Sequence, residues 1–330
     1  MDIDVLRVSG KAEWKRLDEL TRTRNLSGED IDELDRLYRS ATTDLARVRT
    51  SSPDPDVIAD LSRTLSAARG RLAGTGGLTG AAIARFFRVS LPLTLYQIRW
   101  GTLAVTAVFV VLGAIQAHYL MTTPDAMNEL GTPEQLRNYA HSSFVEYYHQ
   151  DTHAEFGLSV WANNAWIALQ AVATGITGVY PLMILWRNAT GVGDAAGIVI
   201  TYGGPWHFFR FILPHGLPEL TAVFISVAAG LRVFWALLVP GAATRFQAVG
   251  VAARSSMTAA VGCAILLAGS GVLEGFVTPS QLPDAVKISL GVTMTAAVWA
   301  YTLILGRRAH AAGENADVGV DSGYYQPVAG

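Results

Sequence analysis

The sequence predicts an all-α fold class, a polytopic membrane helix bundle of about six spans with an N-terminal cytoplasmic helical domain. Hydrophobic residues make up 51% of the 330-residue chain, charged residues only 16%, and the mean hydropathy is +0.30. Charged residues crowd the segment before Gly101, whereas long apolar runs follow it. The first of these runs begins too late for a cleavable signal. We therefore expect a charged head that stays in the cytoplasm and a lipid-soluble body behind it.

The head, residues 1–77, is predicted to be a small helical domain. Ser27 is a helix cap candidate because an acid follows three residues later. Ser52 is a second candidate, with Pro53 at a permitted first-turn position. Apolar residues recur at helical spacing after both caps, which predicts a helical hairpin with an earlier helix packed on it. The glycine-rich residues 74–77 are interpreted as a hinge.

Residues 78–100 mix apolar and basic side chains. Such a mixture is typical of an interfacial amphipathic helix that lies at the lipid headgroups. An ordinary extension of the first membrane helix explains the same residues equally well. The sequence leaves both interpretations open.

The transmembrane bundle is assigned to residues 101–310, with an acidic outer loop at 121–157 and a disordered tail at 311–330. The third span is expected to be broken or tilted because Gly203, Gly204 and Pro205 interrupt it. Pro218 is expected to favour a helix start. The predicted spans are residues 102–119, 158–186, 195–213, 218–239, 257–273 and 286–305.

The orientation follows from the distribution of lysine and arginine, which favour the cytoplasmic side. With six crossings, the head, Arg187, Arg245, Arg254 and the pair at 307–308 all fall on one side, and the acidic loop falls on the other. This pattern predicts a multi-pass protein of the bacterial cytoplasmic (inner) membrane with both termini in the cytoplasm.

Five polar residues interrupt the apolar segments and form the candidate site. Polar side chains inside a membrane are costly unless they are paired or face a cavity. The predicted topology places all five at the extracytoplasmic end of three spans, as an intramembrane polar cluster. They are Asn163, Asn164, His215, Glu219 and Glu274.

Two sets of side chains have the spacing to hold a divalent metal. His215 and Glu219 are four residues apart and share a helix face. Glu146, His149 and His153 in the outer loop have similar spacing. The structural alternatives are a hydrogen-bonded cluster that fixes helix register for the first set and a solvated helix face for the second. No other cofactor is predicted.

Several function classes are excluded or disfavoured by composition. No basic patch interleaved with aromatic residues is present, so nucleic acid is not an expected partner. Cys263 is the only cysteine, which excludes an internal disulfide and a thiolate zinc cluster. The lipid bilayer is therefore the one partner that composition alone predicts.

Three separated motifs resemble the stage II sporulation protein M family of integral membrane proteins. They are the asparagine pair 163–164, the run Ile-Leu-Pro-His-Gly-Leu-Pro-Glu-Leu at residues 212–220 and Leu-Glu-Gly-Phe-Val-Thr-Pro at 273–279. Residues 34–49 are also similar to the N-terminal helices of longer members. The resemblance implies a SpoIIM-like protein of the cell envelope. It also suggests an association with MoxR-type AAA+ ATPases and other membrane proteins, and it supplies no catalytic residue.

Three functions remain in competition. The first choice is a non-enzymatic membrane scaffold or assembly factor, expected as a homodimer, whose head docks a partner. The second is a transporter or channel component that uses the polar cluster as part of a path. The third is an intramembrane hydrolase that uses Glu219 and His215.

Overall fold

The computed structural model describes residues 3–23, 26–51, 54–72, 80–143 and 153–316. These residues form helices and connecting turns, and none of them lies in a β-strand. The chain divides into two compact units, a head that extends to Ile83 and a membrane unit that begins at Ala84. The prediction of an all-α protein is confirmed over the described residues.

The head contains three helices that pack around one apolar core. Leucines and alanines recur at helical spacing on each helix, so each presents an apolar stripe to the other two. The Ser27 cap is present, because the Asp30 backbone N–H donates to Ser27 Oγ at 3.1 Å. The helix predicted to start after Ser52 begins instead at Pro55, and Asp54 Oδ1 accepts hydrogen bonds from the N–H groups of Asp56 and Val57 at 2.9 and 3.2 Å. The predicted hinge at 74–77 lies outside the described residues. The helices are α1 (Ile3–Arg22), α2 (Gly28–Ser51) and α3 (Pro55–Leu72).

The membrane unit is built from long helices, several of which end in π-helical turns. The π-helical turns cover Phe86–Ser90, Tyr139–Ser143, Leu273–Val277 and Thr302–Gly306. The helices are α4 (Gly80–Arg85), α5 (Leu91–Thr122), α6 (Pro124–Leu130), α7 (Pro133–Asn138), α8 (His153–Ala173), α9 (Val179–Gly203), α10 (Pro205–Leu238), α11 (Arg245–Val272), α12 (Asp284–Tyr301) and α13 (Arg307–Ala311).

Four helical segments among the described residues are long and apolar enough to cross a membrane. They are Ala82–Thr122, Pro205–Leu238, Arg245–Val277 and Asp284–Ala311. The helices α8 and α9, with 21 and 25 residues, are also long, but they are not among these four segments. The protein is therefore a membrane protein, and the count of six spans stays a prediction.

The first membrane segment is continuous from Ala82 to Thr122. Its early residues 91–95 are buried against other helices, so residue 100 does not mark a helix boundary. The acidic connection that follows contains α6 and α7. Their residues Met127 and Leu136 pack against the bundle. At the other end of the unit, residues 312–316 are described and Ala316 is buried against Leu93.

The predicted second span, residues 158–186, is wrong. The chain turns in its middle through a short 3₁₀ segment at Gly175–Thr177, and Gly178 then adopts a φ of 65°. This left-handed conformation suits glycine because glycine has no Cβ. Gly175 is buried against Gly230 of α10, whereas Ile176 and Thr177 are exposed. The apolar sequence on both sides conceals the turn. Arg187 consequently lies within α9 and does not close a span.

The predicted third and fourth spans are also wrong in their limits. The expected break occurs at Gly204, which has a φ of 85°. From Pro205, however, α10 continues for 34 residues through Pro214 and Pro218, so Pro218 does not start a helix. A proline removes the hydrogen bond to the carbonyl four residues earlier, and neighbouring helices can compensate inside a membrane protein. Here the Pro214 carbonyl lies against Gly291 of α12, where the missing side chain leaves room.

Candidate functional site

One cavity of about 720 Å³ in the membrane unit brings together the polar residues singled out in the sequence. Asn163 and Asn164 reach it from α8, His215 and Glu219 from α10, and Glu274 from the π-helical turn after α11. All five predicted cluster residues therefore line one space. The remaining lining residues are Tyr139, Ser159, Val160, Asn188, Val192, Ile212, Gly216 and Leu220.

Close helix packing produces this convergence. Gly157 at the start of α8 lies against the backbone of Gly271 near the end of α11. The Ser270 hydroxyl donates a hydrogen bond of 2.9 Å to the carbonyl of His215, which ties α11 to α10. Small residues allow membrane helices to approach in this way. These contacts hold α8, α10 and the turn after α11 so close together that their side chains can reach one another.

His215, Glu219 and Glu274 form the centre of the site. One nitrogen or oxygen atom from each of the three lies within 4.8 Å of the others. His215 Nε2 is 3.9 Å from Glu274 Oε1. The residues His215 and Glu274 are only 3% and 4% exposed, and Glu219 is partly buried. Asn164 lines the same cavity as Glu219. The continuous α10 helix therefore places His215 and Glu219 on one face, as their spacing predicts.

The other ring nitrogen of His215 indicates which tautomer is present. Nδ1 lies 3.3 Å from Thr278 Oγ1, and the Thr278 hydroxyl donates to the carbonyl of Leu273 at 3.2 Å. The threonine oxygen is then left to accept a hydrogen bond from Nδ1–H, which assigns the Nδ1–H form from the hydrogen-bond network. The lone pair of Nε2 is consequently on the side of Glu274. A histidine held in this way is oriented as metal-ligating histidines are.

The charges of the site are not balanced by lysine or arginine. Neither residue type is among the described residues that line the cavity. Lys287, which follows on α12, instead donates to the carbonyls of Thr278 and Ser280 at 2.7 and 2.6 Å. Glu274 Oε2 is buried and has no hydrogen-bond partner. Two carboxylates at this depth need a proton or a bound cation to neutralise them, because a low dielectric penalises uncompensated charge.

Several residues of the site were missed in the sequence. Thr278 and Ser270 orient His215, and Thr278 belongs to the third motif, so its spacing from Glu274 was an available signal. Asn188 lines the cavity because the chain reverses direction at Gly175–Thr177, so that α9 returns toward the cavity that α8 lines. Burial raises the pKa of Tyr139, and Asp194 adds to the effect, so its phenol remains a hydrogen-bond donor at neutral pH.

The side chains of the second predicted metal set lie outside the described part of the chain. Glu146 and His149 are outside the described residues. His153 begins α8, and its side chain is also outside the described part of the chain. This metal site stays a prediction.

Comparison with known proteins gives two family matches. A family model described as stage II sporulation protein M matches residues 102–279, more than half of the chain. This range includes all five cluster residues and Thr278. A model described as a domain of unknown function (DUF8413) matches residues 7–74, which is the head. No curated protein and no solved structure matches the chain.

Proposed function

Because the chain belongs to the stage II sporulation protein M family, we propose that it is a non-enzymatic membrane scaffold or assembly factor of the cell envelope. In this proposal, the membrane unit anchors the protein in the bacterial cytoplasmic membrane, and both termini lie in the cytoplasm. The head docks a partner there. The observation that carries the proposal is the division of the chain into a head and a membrane unit, each with its own buried core.

The head has the properties of a soluble docking domain. Among the described residues of the head, leucines such as Leu17 and Leu34 are packed in a shared core. Its surface carries ion pairs, including Arg16 with Glu33 and Arg39 with Asp35. A separate family model matches this part of the chain, which supports a module with a role of its own.

A groove between α1 and α3 is the proposed docking surface on the head. Its volume is about 650 Å³, and side chains of both charge signs line it. Mixed charge favours a protein partner over a membrane surface, since a protein can offer the complementary pattern. From the family resemblance, we propose a MoxR-type AAA+ ATPase as this partner. The charged lining residues are Lys11, Lys15, Asp18, Arg22, Asp56, Asp60 and Arg63.

Capture of the full-length chain tests this proposal. The chain is co-expressed with the MoxR-type ATPase of the same organism, extracted in detergent and purified through a tag on the membrane protein. We expect the ATPase to co-purify, and the charge reversal Lys15→Glu in the groove to reduce its recovery by at least about tenfold. The matched control Arg39→Glu, on α2 outside the groove, should leave recovery unchanged.

Size-exclusion chromatography in the same detergent tests the expected homodimer. A monodisperse monomer that captures no ATPase would contradict both parts of the proposal. Equal recovery of the ATPase with Lys15→Glu and Arg39→Glu would reject the groove as the docking surface. The ATPase would remain the proposed partner.

A second candidate, a transporter or channel component, is favoured by the cavity itself. Its volume of about 720 Å³ is in the range of small-molecule sites, and polar side chains line it. Reconstitution of the chain in liposomes with an entrapped pH-sensitive or metal-sensitive dye tests this function. Flux equal to that of empty liposomes would reject it. The hydrolase alternative relies on the same His215 and Glu219 and gains no separate support.

A further inference from the structure

The three central side chains of the cavity have the composition of a metal site. One imidazole nitrogen and two carboxylates converge from two helices that are distant in sequence, with their donor atoms within 4.8 Å of one another. A zinc ion binds nitrogen and oxygen ligands at about 2.0–2.2 Å, so its ligand atoms lie roughly 3.4 Å apart. Small side-chain rotations of Glu219 and Glu274 would close this difference. The backbone positions of the three residues therefore already suit a shared ion.

The burial of Glu274 supports a bound cation. Glu274 Oε2 is buried without a partner, and Glu274 as a whole is 4% exposed. His215 Nε2 lies 3.9 Å from the other carboxylate oxygen, Glu274 Oε1. A buried carboxylate is costly unless a positive charge lies near it. A metal ion bound between the three side chains would give the unpartnered Glu274 oxygen such a partner.

We infer that His215, Glu219 and Glu274 bind one divalent transition-metal ion of the zinc class in the membrane unit. This site goes beyond the proposed scaffold function, which does not depend on it. The imidazole and the small number of donors select against Mg²⁺ and Ca²⁺, which prefer six or more oxygen ligands. Thr278 is a positioning residue that orients the imidazole. The cavity beside Asn163 and Asn164 leaves a fourth coordination position for water or a ligand.

Metal content measured on the full chain tests the inference. The protein is purified in detergent with a tag that contains no histidine, stripped with a chelator, equilibrated with Zn²⁺ and washed before elemental analysis. We expect about one zinc ion per wild-type chain. Glu274→Gln and Glu219→Gln keep the side-chain shape and should each weaken zinc binding by at least about tenfold. Thr278→Val should weaken it by about tenfold through loss of orientation.

His207→Gln is the matched control, because His207 lies on the same helix α10, and its Nε2 is 3.1 Å from the carbonyl of Ala140, away from the cluster. This variant should bind zinc as the wild type does. Zinc should also raise the thermal unfolding temperature of wild type and His207→Gln and leave Glu274→Gln unchanged, since a ligand stabilises only the state that binds it. Mg²⁺ should shift none of the three.

Two outcomes would overturn the inference. The first is a folded, monodisperse wild-type chain that retains no more zinc than Glu274→Gln. In that case protons, and not a metal ion, would neutralise the carboxyl groups of Glu219 and Glu274. The second is equal zinc loss in His207→Gln and Glu274→Gln, which would indicate adventitious binding by surface histidines. Both outcomes are independent of ATPase capture, so they would not affect the scaffold proposal.

Discussion

In the head, leucines and alanines are buried and charged side chains lie outside, whereas in the membrane unit the polar His215 and Glu274 are buried and Trp100 and Trp235 lie outside. Water expels apolar side chains from the surface of the head, which is the main driving force for its folding. Lipid provides no such force between helices, so close packing and hydrogen bonds must hold the membrane unit together. The same change to a side chain should therefore have different consequences in the two units.

The largest effect is expected from Leu17→Ala in the head core. Leu17 is fully buried between the three head helices, so the substitution removes apolar contacts and leaves a cavity. We expect a loss of about 4 kcal/mol in the stability of the head. Hydrogen exchange of head amides in the full chain would measure it. Leu182→Ala on the exposed surface of the membrane unit, where Leu182 is 51% exposed, should change stability by less than about 0.5 kcal/mol.

Gly230→Ala tests the packing of the membrane unit. A Cβ at residue 230 would collide with the carbonyl oxygen of Ala171 on α8, and backbone atoms cannot move aside as side chains can. We expect a loss of about 3 kcal/mol in unfolding experiments in detergent. Gly191→Ala on α9 is the control, because no other atom lies near its added Cβ. The control should not lose stability, because alanine favours the helix more than glycine does. Equal losses at both positions would show that the contact with Ala171 does not determine the result.

Arg232→Met should have a smaller effect on the membrane unit. The Arg232 guanidinium donates to Gln97 on α5 at 2.9 Å and to Ser255 on α11 at 3.2 Å, so it joins three helices. Loss of these charge-assisted hydrogen bonds should cost about 2 kcal/mol in the same unfolding assay. Arg232→Lys keeps the charge and one donor, and it should lose less. An effect of Arg232→Met no larger than that of Leu182→Ala would contradict a structural role for these bonds.

The head was predicted well because the sequence signals of soluble helices are local. The Ser27 cap and the apolar stripes at helical spacing act within one or two turns, and the structure has the helices they predict. In the membrane unit, apolar composition continues through turns and helices alike. The turn at Gly175–Thr177 was missed because the close approach of Gly175 to Gly230, a residue that is distant in sequence, cannot be read from the local sequence. The continuous α10 was missed because Gly291 accommodates the irregular backbone near Pro214.

The polar cluster could be predicted because its residues contrast with the apolar sequence around them. Asn164, His215 and Glu274 stand out because the residues around them are apolar, and the cost of isolation in lipid indicates that they must meet. Their residue types therefore predicted contact without knowledge of the helix limits. Asn188 could not be found in this way, since its place depends on the missed turn. Spacing along one helix placed His215 beside Glu219, whereas the approach of Glu274 to both residues depends on the packing of α10 and α11.

The smallest effect is expected from the surface ion pair of the head. Arg16 Nη2 lies 2.8 Å from Glu33 Oε2, and the hydrogen bond from Arg16 lowers the pKa of Glu33 below its ordinary value of 4.5. The pair therefore stabilises the head fully above that value, and its contribution is lost as the pH falls through the lowered pKa. Arg16→Gln should cause a small loss of thermal stability at pH 7, and the loss should vanish in acid and in high salt. Arg63→Gln, at a side chain that is 77% exposed, should cause no loss at any pH. A loss with Arg16→Gln that persists in acid would mean that packing of the arginine stem, and not its charge, stabilises the head.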